Sequence, residues 1–167
     1  MGKTFVTALV VAAFCGLFAP LALGSGPDVH PYYTSALDEL GMAYDVWDVA
    51  TQGDPSADDL MGYQMVIWFT GYPRNDTFTL ANETAVATYL DAQGRFWLVS
   101  EDYLHDRGLT SFGQNRLRIG GYTNDVNQTD PEGVAYSPGA GLGPYSLIPP
   151  PGWSGELYTD NVVLWSG

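Results

Sequence analysis

The sequence predicts an α/β fold built around a parallel sheet. Three features point there: an unbroken apolar run at 65–69, a second at 96–100, and between them a helical pattern at 79–93. Runs with no polar alternation suit strands covered on both faces, which in soluble proteins means a parallel sheet with helices packed against it. Ligands in such sheets bind beyond the carboxyl ends of the strands. A site is therefore expected at 70–76 and 100–106, two polar, acidic stretches with aromatics interleaved.

At the amino end, Lys3 precedes an apolar run over 5–23, and Ala22-Leu23-Gly24 offers small residues before Ser25. That pattern predicts a secretory signal peptide over 1–24; a retained membrane anchor is the alternative, disfavoured by Gly16 and Pro20. The one cysteine, Cys15, lies inside this run, so the chain from Ser25 onward has neither a disulfide nor a thiol nucleophile. Lipid attachment at Cys15 is disfavoured by the bulky Phe14 before it.

Beyond the run, Pro31 suits a helix start. Tyr33, Ala36, Leu37 and Leu40 share one helical face, and Gly41 stops the helix. Residues 43–49 alternate, with Tyr44 and Val46 opposite Asp45 and Trp47, as in an edge strand. Asp54 is expected to cap a short helix that opens at Pro55 and runs through Leu60 and Met61. For the helix at 79–93, Thr79 is the expected cap, Glu83 sits in the positive first turn, Val86, Tyr89 and Leu90 form the apolar face, and Gly94 suits the left-handed position after the last turn. Residues 102–107 and 111–117 can each support a helical turn or two. From 120 onward glycine and proline dominate, leaving 157–158 and 162–165 as late strands. The organisation read from these elements is a signal over 1–24, an α/β domain over 25–125 and a Gly/Pro-rich extension over 126–167.

Charge excludes one class of partner. After residue 24 there are no lysines, and five arginines face nineteen acids, a formal −14. A field of that sign repels nucleic acid and anionic membrane surfaces. It fits a high-salt medium, where screening removes the self-repulsion, and it also fits a surface that collects Ca²⁺. No other cofactor is implied. Three Asn-x-Thr sequons, at Asn75, Asn82 and Asn127, would be glycosylation acceptors in an exported chain.

With the elements in order, the chain resembles the class I glutamine amidotransferase-like domains of secreted, multidomain prokaryotic proteins. The residues that carry the resemblance are Tyr32-Tyr33-Thr34-Ser35-Ala36-Leu37-Asp38-Glu39-Leu40-Gly41, Tyr44-Asp45-Val46-Trp47-Asp48, Met65-Val66-Ile67-Trp68-Phe69-Thr70-Gly71, Tyr89-Leu90-Asp91 with Gly94, and Asp102-Tyr103-Leu104. The resemblance spans about 28–125 and implies a three-layer, flavodoxin-like fold. Active members carry a cysteine in a Gly-x-Cys-x-Gly turn; the matching turn here reads Val99-Ser100-Glu101-Asp102, without the cysteine or the small neighbours such a turn requires. The resemblance also calls for a first strand at the sheet centre. No strand is recognised before Asp28, so either residues 5–23 are not a leader or the sheet is incomplete and lacks its central strand; the closing strands are expected to be missing as well.

The expected function is an exported, non-catalytic accessory or ligand-binding domain of a larger secreted or cell-surface protein. Thr70, Tyr72, Arg74, Asp102 and Tyr103 would contact a small ligand or a neighbouring module. One alternative is a hydrolase or amidotransferase-like enzyme using Ser100 or Glu101 with His105, supported by Asp106; a nucleophile needs a base within reach and a group that orients the base. Another is a calcium-dependent adhesion module with oxygen ligands at Asp125, Asn127 and Asp130, in a segment without the glycine and closing glutamate of an EF-hand loop.

Overall fold

A computed structural model describes residues 7–12, 29–71, 74–126, 141, 143 and 161–164, and for 7–12 and 164 the backbone alone. The chain divides into two compact units, Met1–Arg107 and Gly108–Gly167.

The first unit is mixed α/β. Its elements in order are β1 (Thr7–Ala12), α1 (His30–Glu39), β2 (Ala43–Asp48), α2 (Val49–Gln52), α3 (Ala57–Leu60), β3 (Met65–Phe69), α4 (Leu80–Asp91), β4 (Arg95–Val99) and α5 (Tyr103–Arg107). The four strands form one parallel sheet in the order β2-β1-β3-β4. The two apolar runs are direct parallel neighbours, with Ile67 opposite Trp97 and Trp68 opposite Leu98. The expectation of an empty central position is corrected: β1 fills it, pairing Thr7–Ala12 with Ala43–Asp48 on one side and Ala8–Ala12 with Met65–Phe69 on the other. The apolar residues that read as leader also meet the needs of an interior parallel strand, which is neutral and rich in branched side chains. Among the described residues β2 lies at the sheet edge, as its alternation predicts.

Both faces of β3 are covered. On one, Leu37 of α1 packs with Ile67 and Phe69, joined by Val29, Tyr33, Met42, Tyr44, Met65 and Val99. Tyr33 stacks on Phe69 with centroids 4.6 Å apart and planes 4° from parallel. Residues of the other parity, Val66 and Trp68, are also fully buried. Trp68 meets Phe78 edge-on at 4.9 Å, and Phe78 in turn lies against Phe96 and Tyr103. Each large apolar side chain removed from water in this way contributes about 1.5–3 kcal/mol.

Several local expectations are corrected. Leu40 is exposed at the end of α1, although Gly41 does take the left-handed conformation that stops the helix. The third helix starts two residues later than expected, because Ser56 rather than Asp54 caps it. Asp59 accepts from the Ser56 N–H at 2.8 Å and from its hydroxyl at 2.6 Å, while Ser56 Oγ accepts from the Asp59 N–H. This reciprocal box satisfies two otherwise orphaned donors, which Asp54 cannot do from outside the helix. Asp48 caps α2, a turn not expected from the sequence.

The N-terminus of α4 follows expectation, with Thr79 accepting from the Asn82 N–H and Asn82 answering on the Thr79 N–H. Its C-terminus does not. Gln93, not Gly94, takes the positive φ. Gly94 is required for a different reason: a Cβ there would fall inside the ring of Tyr89. That ring reaches over Gly94 so that its hydroxyl donates to Tyr63 O at 3.1 Å and accepts from Arg95 N–H at 3.2 Å. Burial raises the Tyr89 phenol above its ordinary value, so it stays protonated and able to donate.

The second unit contains α6 (Ser111–Asn115), capped by Thr110, and an antiparallel pair of β5 (Ile119–Thr123) and β6 (Asn161–Leu164). Strand β6 matches the expected late strand at 162–165, whereas β5 falls where glycine-rich loops were expected. The other late candidate, 157–158, lies outside the described residues.

Candidate functional site

The carboxyl ends of β3 and β4 are tied together by hydroxyls. Thr70, completely buried just past β3, donates its N–H to Val99 O at 3.1 Å and its Oγ1–H to Ser100 Oγ at 2.9 Å. Gly71 then turns the chain with φ of +65°. Arg74 Nε lies 3.8 Å from Asp102 Oδ1; the carboxylate is buried and the guanidinium half-exposed. Of the ligand-binding residues expected from the sequence, Arg74 thus pairs with Asp102, while Thr70 pairs with Ser100, one of the catalytic candidates. Tyr72 lies outside the described residues.

The stretch 101–106 is less of a loop than its polarity implies. Tyr103, expected as an exposed contact, is core: its ring abuts Phe78 and its hydroxyl donates to Glu83 Oε1 at 3.1 Å. Glu83 sits in the first turn of α4 as expected, but it is buried and also accepts from Arg107 Nε at 3.5 Å. This carboxylate pins α5 to α4. Removing it would leave a partly buried guanidinium uncompensated. No local spacing announces the triplet, whose members are twenty and twenty-four residues from Glu83.

The polar residues considered for catalysis are spread along this segment. Ser100 is half-buried with its oxygen accepting from Thr70, Glu101 is half-buried, and His105 is exposed on α5. Asp106 faces the loop before α4, accepting the N–H and hydroxyl of Thr77, each at 3.0 Å. Among the described residues no hydrogen bond joins His105 to Ser100 or to Asp106.

Of the expected calcium ligands, Asp125 is exposed and accepts from Asn124 Nδ2, while Asn127 and Asp130 lie outside the described residues. Among the described residues no three His, Cys, Asp or Glu side chains cluster as a metal site, and no helix is long and apolar enough to cross a membrane. The sequons differ in access. Asn75 is exposed, but Asn82 is 2 % exposed and committed to the cap of α4, and Asn127 falls outside the described residues.

Comparison with family models, with curated proteins and with solved structures returned no match.

The sheet order adds a feature that the sequence did not reveal. Connections leave β1 toward β2 on one side while β3 lies on the other, so the chain reverses direction between β1 and β3. In open parallel sheets that reversal leaves a crevice at the carboxyl ends of the two strands concerned. Thr70 and Gly71 stand at the β3 side of it, directly after the strand.

Proposed function

We propose that the first unit is a flavodoxin-like, three-layer domain, akin to the class I glutamine amidotransferase-like domains but without their nucleophile, which binds a ligand or a neighbouring module at the ends of β3 and β4 and does not turn it over. The strand order β2-β1-β3-β4 supports the fold reading, since it is the opening part of the 2-1-3-4-5 order. The observation that carries the functional reading is the Thr70 to Ser100 hydrogen bond. An acyl-transfer nucleophile needs its proton taken by a base within hydrogen-bond reach. Here the serine oxygen is an acceptor at a strand junction, and the nearest histidine in sequence faces solvent.

Asp102 and Arg74 supply the means of recognition: a buried carboxylate and a half-exposed guanidinium that a polar ligand can engage in place of each other. The acidic composition, with no lysine after Lys3, supports a high-salt setting, and the context carried with this reading is a larger secreted or cell-surface protein.

The purified chain, assayed on p-nitrophenyl acetate and on L-glutamine, is expected to show rates equal to the uncatalysed background, unchanged by Ser100→Ala or His105→Ala. Turnover above background that either substitution abolishes would overturn the proposal and install the hydrolase reading.

A further inference from the structure

We propose that residues 7–12 stay covalently in the folded protein as the central strand of its sheet, although their sequence has the character of a cleavable leader. The segment Thr7-Ala8-Leu9-Val10-Val11-Ala12 is paired on both sides, over its full length with β2 and from Ala8 to Ala12 with β3. Among the described residues it is the strand that joins β2 to β3 in the ladder. Adjacent strands lie about 4.8 Å apart, so without β1 the two would stand roughly 10 Å from each other, too far for direct hydrogen bonding. The inward N–H and C=O groups of both strands would then lose every partner, and buried backbone groups are rarely left so. β3 would suffer most, because Val66, Ile67, Trp68 and Phe69 are all buried and water cannot replace the missing bonds without reaching them.

The position of the expected cut sharpens the conflict. Cleavage before Ser25 falls in the connection between β1 and α1, so it would detach the strand while keeping everything that packs around it. An interior parallel strand and a leader's apolar region have the same composition, uncharged and aliphatic, and for that reason composition does not separate them. The pairing does. This inference is independent of the ligand-binding reading, since it concerns the sheet centre and not the strand ends, but it removes the cleavable leader from which the secreted context was read.

The test uses the full chain, made from Met1 in a host with a working leader peptidase. Intact mass of the soluble, folded fraction under denaturing conditions is expected to retain residues 7–24, and the amides of 8–12 are expected to exchange with deuterium as slowly as those of 66–69. Val10→Pro, which removes a ladder donor in mid-strand, is expected to lower Tm by about 10 °C or more. If that variant does not fold, the exchange rates of the unaltered chain still decide. A cooperatively folded product that begins at Ser25, fast exchange over 8–12, or an unchanged Tm for Val10→Pro would each overturn the proposal.

Discussion

Strands β3 and β4 are equivalent in sequence and unequal in the fold. Each is a five-residue segment dominated by apolar side chains and each carries a mid-strand tryptophan. β3 lies between two strands, and four of its five residues are buried; Trp68 is 1 % exposed. Among the described residues β4 has a strand on one side only, and Trp97 is 52 % exposed. Mid-strand indoles invite a core assignment for both, and for Trp97 that assignment is wrong. An apolar run states what a segment is able to bury. The number of neighbours that the topology provides decides how much of it is buried.

The largest effect separating the two strands is expected from their tryptophans. Trp68→Ala should cost about 3–5 kcal/mol, because its neighbours Phe78 and the flanking strands are held in place and cannot close the cavity. Trp97→Ala should cost under about 1 kcal/mol, as expected for a half-exposed side chain. Urea unfolding of the two variants checks this, and equal losses would abolish the distinction between the strands.

A smaller effect is expected at the entry to β4. Gly94→Ala forces the Tyr89 ring away and with it the hydroxyl that ties Tyr63 to Arg95, at a cost of about 1–3 kcal/mol. Placing the same alanine at Gly62, where an added Cβ meets a single backbone oxygen at ordinary contact distance, is the control. A loss at Gly94 no larger than at Gly62 would mean that β4 is not fixed by this contact.

The smallest effect concerns the approach to β3. The Ser56 hydroxyl, and next its backbone N–H, hold the Asp59 carboxyl below its ordinary value. A group whose pKa is depressed by folding contributes stability that is fully present above its unfolded value, near pH 4, and that is lost as pH falls through the lower folded value. Melting temperatures recorded from pH 7 to pH 2.5 should therefore fall less steeply below pH 4 in Ser56→Ala than in the unaltered chain. Parallel curves would show that the box adds nothing to the anchoring of β3.

The elements closest to the sheet centre were legible where local chemistry is unambiguous. Thr79 announces α4, Gly41 ends α1, and alternation marks β2 as an edge. What was not legible depends on contacts remote in the chain. Leader-like residues and an interior strand share one composition, so the vacant central position was the one sign that residues 5–23 could be something other than a leader. Glu83 reads as a dipole-facing acid and, from that first-turn position, is also a buried tie to Tyr103 and Arg107. At the site, the strand ends predicted where polar residues would gather, but not that Tyr103 would turn inward or that Thr70 would occupy the Ser100 hydroxyl.

The central place of β1 also bears on how the sheet is assembled during translation. β1 leaves the ribosome ahead of both its partners, one ending at Asp48 and the other at Phe69. Until the latter has emerged, a greasy extended peptide waits with at least one bare edge, the state in which nascent chains aggregate or recruit chaperones. Closing those distant pairings is slow by its topology, so the yield of native protein should respond to elongation speed between the codons of β1 and those of β3 more than to speed over the codons that follow β3.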